Sequence, residues 1–227
     1  MRLVITRPAD DAAVLKAKLE GMGHSTSVVP LLKIVPRANV QIPSKKYQFI
    51  CATSANALKY SGVSDTLKEI PVLTVGPQSL AAAKTAGFKS CEAHGGDVHG
   101  LAAYIIKNFS PQSGPILYLS GAETSADLRS LLKAGNFNAE KVIVYDAVVQ
   151  TPAEISKALT MADGVLLYSP RSGRIWFDLI TTSRLEKAAA VPIYFCLSEN
   201  VAKTLPAHWQ KRVAKTPDEA AMLVLLD

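Results

Sequence analysis

The sequence predicts an α/β protein made of two flavodoxin-like or Rossmann-like parallel sheets, the product of an internal duplication. Three observations carry this. Short runs rich in Val, Ile and Leu alternate with stretches of helical period. The runs are continuously apolar rather than alternating, as expected of strands buried on both faces of a parallel sheet. The second half of the chain also repeats the first. Leu3-Val4-Ile5-Thr6 answers to Leu117-Tyr118-Leu119-Ser120, and Ile50-Cys51-Ala52-Thr53-Ser54 to Val165-Leu166-Leu167-Tyr168-Ser169. Gly21 answers to Gly135, Ala81 to Ala202 and Asp97 to Asp218. The register drifts slowly, as small loop insertions would leave it. Two like domains facing each other imply a cleft for a ligand.

In the first copy the expected strands are Leu3–Thr6, Thr26–Val29, Phe49–Ala52, Val72–Val75 and a weak Ser90–Glu92. In the second they are Ile116–Leu119, Lys141–Val144, Gly164–Tyr168, Ile193–Cys196 and a weak Arg212–Ala214. Ten strands make two sheets of five. Asp10–Glu20 sets Ala12, Leu15 and Leu19 on one helical stripe and stops at Gly21-Met22-Gly23. Ser125–Ala134 does the same with Leu128, Leu131 and Leu132 and stops at Gly135. Gln78–Ala86, Gly100–Asn108 and Asp218–Leu226 supply further helices. The strands divide in one of two ways. Either tandem domains meet near Pro111-Gln112-Ser113-Gly114-Pro115, or the first strand-helix-strand unit packs with the C-terminal strands. In the second case Leu31–Pro36 and Asp146–Pro152 are crossovers.

Composition narrows the class. Of 227 residues 48% are hydrophobic and 19% charged, which is soluble and well cored rather than disordered. No apolar run approaches the roughly 20 residues of a membrane span. Met1-Arg2 leads directly into a strand, so no signal peptide is expected. The three cysteines (Cys51, Cys91, Cys196) fall in or beside apolar strand-like runs, which suits a reducing cytoplasm better than a disulfide framework. A net charge of +6 fits an anionic small molecule or plain solubility. Without a dense basic block or zinc-finger spacing, nucleic acid is the weaker partner.

Ligands of an open parallel sheet bind beyond the carboxyl ends of its strands. Those ends read Thr6-Arg7-Pro8, Thr53-Ser54-Ala55-Asn56, Gly76-Pro77-Gln78-Ser79, His94-Gly95-Gly96-Asp97, Ser120-Gly121-Ala122, Ser169-Pro170-Arg171-Ser172-Gly173, Ser198-Glu199-Asn200 and Thr216-Pro217-Asp218. A hydroxyl or glycine just before a helix is an ordinary cap, but a rim of them presents N–H and O–H donors to carboxylates or phosphates. The first turn lacks G-x-G-x-x-G, so a dinucleotide is not expected, and no P-loop is present. His24, His94, His99 and His208 lack metal-ligand spacing, and no metal is expected. Neither a nucleophile elbow nor a catalytic carboxylate pair stands out.

Leu3-Val4-Ile5-Thr6-Arg7-Pro8, Phe49–Ala57, Val75-Gly76-Pro77, Ile116–Gly121, Val142-Ile143-Val144-Tyr145, Leu166–Ser172 and Thr216–Ala220 occur in that order. The ordered set resembles the uroporphyrinogen-III synthase family and covers essentially the whole chain. The resemblance implies two α/β domains joined by a two-stranded linker. Residues 1–30 with 153–227 form one domain, 37–145 the other, and 31–36 and 146–152 the linker.

The same resemblance implies cofactor-free cyclisation of hydroxymethylbilane, a linear tetrapyrrole with eight carboxylates, with inversion of the last ring. Tyr145 matches the tyrosine at the family's linker, proposed there as proton donor to the departing hydroxyl. Arg7, Thr53, Ser54, Gly76, Ser79, Ser169, Arg171 and Ser172 are the candidate substrate-binding residues. Ser120, Ser125 and Glu199 depart from the family pattern. A cytoplasmic monomer is expected, with transient contact to the deaminase that precedes it. The competing readings are a two-domain binding or sensor protein for an anionic ligand and a phosphosugar or nucleotide-sugar enzyme.

Overall fold

A computed structural model describes residues 1–124 and 126–226. The chain runs through β1 (Arg2–Ile5), α1 (Ala9–Gly21), β2 (Ser25–Val28) and β3 (Leu32–Pro36). It continues through β4 (Phe49–Ala52), α2 (Ala55–Lys59), α3 (Asp65–Lys68), β5 (Val72–Thr74), α4 (Pro77–Thr85), β6 (Cys91–Ala93) and α5 (Val98–Asn108). A short 3-10 turn, Pro111–Ser113, leads into β7 (Ile116–Gly121), α6 (Leu128–Ala134), β8 (Ala139–Val149) and α7 (Ile155–Thr160). The chain closes with β9 (Gly164–Leu167), α8 (Pro170–Thr182), α9 (Glu186–Ala189), β10 (Ile193–Cys196), α10 (Glu199–Ala202), β11 (Lys211–Val213) and α11 (Glu219–Leu223).

These elements form two units, one of residues 1–33 with 148 onward, the other Ile34–Ala147. The first unit is a parallel sheet in the order β11-β10-β9-β1-β2. In chain order that is the flavodoxin-like 2-1-3-4-5 arrangement. Side chains of β1 alternate between its faces: Val4 joins Trp176, Tyr194 and Val165 on one, and Leu3 and Ile5 join Leu15, Leu19 and Phe195 on the other. Both faces are dry, which accounts for the continuous apolar runs.

The second unit is a sheet in the order β3-β8-β7-β4-β5-β6. From β8 to β6 its strands are parallel. Core clusters again cover both faces, with Ile50, Ala52 and Leu117 on one and Phe49, Cys51 and Tyr118 on the other. Here β3 adds a sixth strand where five were expected. The hydrogen bonds Arg37 N–H to Val144 O and Gln150 N–H to Leu31 O, both 2.9 Å, run in opposite numerical directions, so β3 lies antiparallel to β8. The segment expected as a short strand, Lys141–Val144, is thus the middle of the eleven-residue β8. Its first part pairs with β7 and its last with β3, while Glu140, Lys141 and Asp146 interrupt the apolar pattern.

Local chemistry explains most boundaries. Gly23 and Gly87 take positive φ (84° and 89°) after α1 and α4. After α6 the positive φ falls on Asn136 (63°) rather than on the expected stop, Gly135. The start expected for α6, Ser125, lies outside the described residues; Asp127 caps the helix by accepting from Arg129 N–H at 3.1 Å. Helix α8 was not expected from periodicity. Its buried stripe is Gly173, Trp176 and Ile180, and Gly173 hides the stripe's first position. That glycine is required by close packing, because a Cβ there would lie 2.0 Å from Thr204 Oγ1.

Candidate active site

In an open sheet the crevice lies where neighbouring strands send their connections in opposite directions. In the second unit that point falls between β4 and β7. Ala52 is paired with Leu119, so the next residues, Thr53 and Ser120, emerge side by side at the carboxyl ends. A β-bulge between Ser120 and Gly121 then sets Gly121 opposite Tyr145 on β8. Sequence-distant residues thus meet: Thr53 and Ser54 from β4, Ser120 and Gly121 from β7, Tyr145 from β8.

The Tyr145 ring is 8% exposed and packs among Ile50, Ala52 and Leu119. Its hydroxyl donates to Ser54 Oγ at 3.1 Å. Ser54 is also the N-cap of α2, its Oγ accepting from Asn56 N–H at 3.2 Å. Thr53 Oγ1 shares a hydrogen bond of 3.2 Å with Tyr118, a buried tyrosine on β7. The buried Ser120 hydroxyl turns back to its neighbour's carbonyl, Gly121 O, at 2.8 Å. Two partners here were not foreseen. Tyr118 is hidden within an apolar run, and Gly121 matters for its missing side chain, since a Cβ would fall 2.6 Å from Tyr145 Cζ.

The other candidates of this unit stand at the neighbouring strand end. Gly76 begins α4 in extended backbone (φ −174°), and the space before it is open, with nothing within 4 Å of a Cβ. Ser79, in the first turn of α4, is buried. Next along, Gly95 and Gly96 take φ of 78° and 73°, and Asp97 caps α5 by accepting from Gly100 N–H at 2.7 Å.

In the first unit the switch point lies between β1 and β9. Thr6 Oγ1 donates to Leu166 O at 2.7 Å, which ends β1 against β9. Arg7 follows, its guanidinium 4.9 Å from the Tyr168 ring centroid, paired with Glu219 at 2.9 Å and Asp11 at 3.5 Å. Burial pushes the Tyr168 hydroxyl pKa well above the ordinary tyrosine value, opposed by the charge of Arg7. Its oxygen is the one buried side-chain N or O atom without a hydrogen-bond partner among the described residues. Beside it Ser169 caps α8, accepting from Ser172 N–H at 3.0 Å, and the two serine hydroxyls share a 2.8 Å bond. Arg171 occupies the first turn of the same helix. Asp218 caps α11 from the position that answers to Asp97, accepting from Ala221 N–H at 2.8 Å. Glu199 is exposed in the first turn of α10, where the helix dipole favours an acid.

Both units are built on parallel strands, and each carries a hydroxyl-lined rim at its own switch point. That defines a class: an α/β protein of two parallel-dominated sheets, in which the opening strand-helix-strand unit packs with the C-terminal strands. The family model for uroporphyrinogen-III synthase HemD matches residues 13–224. The chain belongs to the uroporphyrinogen-III synthase family and is an enzyme of that type, a lyase acting as a cyclase. The fold is that of two solved structures. One is a uroporphyrinogen-III synthetase from Helicobacter pylori, with TM-score 0.69 and 16% identity over 100% of this chain and 98% of that one. The other is a mutant uroporphyrinogen III synthase from the extremely thermophilic bacterium Thermus thermophilus, with TM-score 0.55 and 12% identity over 100% and 97%. No curated protein sequence matches the chain significantly. No helix among the described residues is long and apolar enough to cross a membrane.

Proposed function

We propose that Tyr145 supplies the proton when this enzyme closes hydroxymethylbilane to uroporphyrinogen III. The observation that supports the role is the Tyr145–Ser54 hydrogen bond beside a switch point, in a chain that matches the family over residues 13–224. The chemistry asks little of the protein. A pyrrole nitrogen pushes electrons toward the hydroxymethyl carbon, and a mild acid lets the hydroxyl leave as water. The azafulvenium cation is captured by the last ring at its substituted carbon. The spiro intermediate then fragments and recloses with that ring inverted. In water the bilane closes without inversion, so the enzyme's work is geometric: fold the substrate and suppress the direct route.

Thr53, Gly76 and Ser79 on one rim, with Arg7, Ser169, Arg171 and Ser172 on the other, are proposed to receive the eight carboxylates, and Ser54, which holds the Tyr145 hydroxyl, is proposed to meet the substrate at its departing hydroxyl. Hydroxyls and helix-start N–H groups suit carboxylates, and an arginine adds a charge-assisted fork. Residues 31–36 and 146–152 are proposed as the linker between domains of residues 1–30 with 153–227 and of residues 37–145. The protein is proposed to work as a cytoplasmic monomer that takes its unstable substrate from the preceding deaminase.

The test generates hydroxymethylbilane in place and resolves the oxidised porphyrin isomers. Isomer III is the expected product, and isomer I alone would overturn the reading. Tyr145→Phe, with its fold intact by circular dichroism, is expected to lower turnover by roughly 100-fold or more; an undiminished rate removes Tyr145 from the mechanism.

A further inference from the structure

We propose that the proton reaches the leaving hydroxyl through Ser54, with Tyr145 as the acid one bond behind it; this rests on Tyr145 being the proton source. A serine oxygen has two lone pairs and one hydrogen. In this site one lone pair of Ser54 accepts the Asn56 N–H at 3.2 Å and the other accepts the Tyr145 O–H at 3.1 Å. Both acceptor positions are used, so the hydrogen of Ser54 is the one that can point to a third group. Exposure runs the same way. Tyr145 is 8% exposed and wedged against Gly121, whereas Ser54 is partly exposed at the end of β4. The helix cap fixes the Ser54 oxygen, and Ser54 in turn fixes the tyrosine proton.

The step balances. The carbon–oxygen bond of the hydroxymethyl group breaks, its electron pair leaving with oxygen. The Ser54 hydrogen passes to that oxygen to make water while the Tyr145 hydrogen passes to Ser54 Oγ. A phenolate and the azafulvenium cation remain. When the inverted ring recloses, the proton lost from its free α-carbon returns through Ser54 to Tyr145, so water is the only by-product. A relay places two protons in flight, where a hydroxyl that merely binds a substrate carboxylate places none.

The experiment measures kcat and KM for hydroxymethylbilane in H2O, D2O and mixtures. It compares the parent enzyme with Ser54→Ala, Ser54→Asn, Ser54→Thr and Tyr145→Phe. The parent kcat is expected to fall along a curve with deuterium fraction. Ser54→Ala and Ser54→Asn are expected to lose roughly 100-fold in kcat with KM nearly unchanged and a straight-line dependence. Asn keeps a cap acceptor, which separates the lost relay from a lost cap. Ser54→Thr, which keeps the hydroxyl, is expected to restore most of the rate. A straight line for the parent, or Ser54→Ala raising KM alone, would overturn the relay. If Tyr145→Phe is slow while Ser54→Ala turns over normally, the relay fails and the tyrosine acid survives. If Tyr145→Phe is as fast as the parent, the underlying reading fails instead.

Discussion

Gly121 and Tyr145 compete for one space: a Cβ on Gly121 would lie 2.6 Å from Tyr145 Cζ and 2.8 Å from its hydroxyl oxygen. The bulge at Ser120/Gly121 makes them neighbours, and the ring then rests on bare backbone. Gly121→Ala must push the ring aside and stretch the bond to Ser54. A misplacement of about 1 Å is enough to cost about 100-fold in rate. The expected outcome is a loss of that order in kcat with KM little changed and the far-ultraviolet spectrum intact. A kcat equal to the parent's would show that the ring position is immaterial to turnover.

The turn before α5 makes a second steric prediction. Gly95 has φ +78°, and a Cβ on it would lie 2.1 Å from Gly100 C; one on Gly100 would lie 2.2 Å from Gly95 O. Neither neighbour can yield, because both are backbone. Gly96 also has positive φ (73°) but meets nothing within 4 Å. Gly96→Ala therefore incurs only the left-handed strain of about 1–2 kcal/mol. Gly95→Ala adds the clash and is expected to lose about 3 kcal/mol or more, roughly 6–12 °C in Tm. Thermal melts of the two variants side by side check the ranking.

These two sites show what the sequence can and cannot display. The strands were legible because both sheet faces are dry, so Leu3–Ile5, Phe49–Ala52 and Gly164–Leu167 read as unbroken apolar runs. The hydroxyl rim was legible because caps sit at fixed places: Ser54 and Ser169 answer to each other, as do Asp97 and Asp218, and all four cap helices. Helix α8 was not, since Gly173 stands where periodicity wants an apolar side chain. The pairing of β3 with β8 was implied only by the family resemblance, as a two-stranded linker, because the backbone hydrogen bonds that carry it, such as Arg37 to Val144, are announced by no side-chain pattern. The Gly121–Tyr145 fit and the Tyr118–Thr53 bond are tertiary contacts between strands distant in sequence, and they follow only from register.

Arg7 has its charge already engaged. Glu219 accepts from it at 2.9 Å and also holds Lys18, while Asp11 lies 3.5 Å away. A substrate carboxylate that recruits Arg7 must compete with Glu219. Glu219→Gln removes the negative charge and keeps the shape. It is expected to lower KM for hydroxymethylbilane by roughly three-fold and to steepen its rise with salt, since a freed cation attracts the polyanion over about 10 Å at 0.1 M ionic strength. A KM unchanged at every salt concentration would show that Arg7 serves the fold alone.

The acid limit of stability offers the last test. Asp163, just before β9, accepts from Arg2 N–H at 2.7 Å and from the Arg2 guanidinium at 2.8 Å, tying β1 to β9. The hydrogen bonds from Arg2 hold its carboxyl at about 2, below the ordinary 3.8. Between these values the unfolded chain binds the proton and the folded protein does not, so stability rises with pH across this window. The contribution is complete above about pH 4 and is lost as pH falls toward 2. The pair is solvent-exposed, so the effect is small and weakens with salt. Urea midpoints from about pH 2 to 5 at low ionic strength are expected to rise more steeply for the parent than for Asp163→Asn, with the difference levelling off above about pH 4. Parallel curves through the window would mean that the Arg2 pair contributes nothing to acid stability.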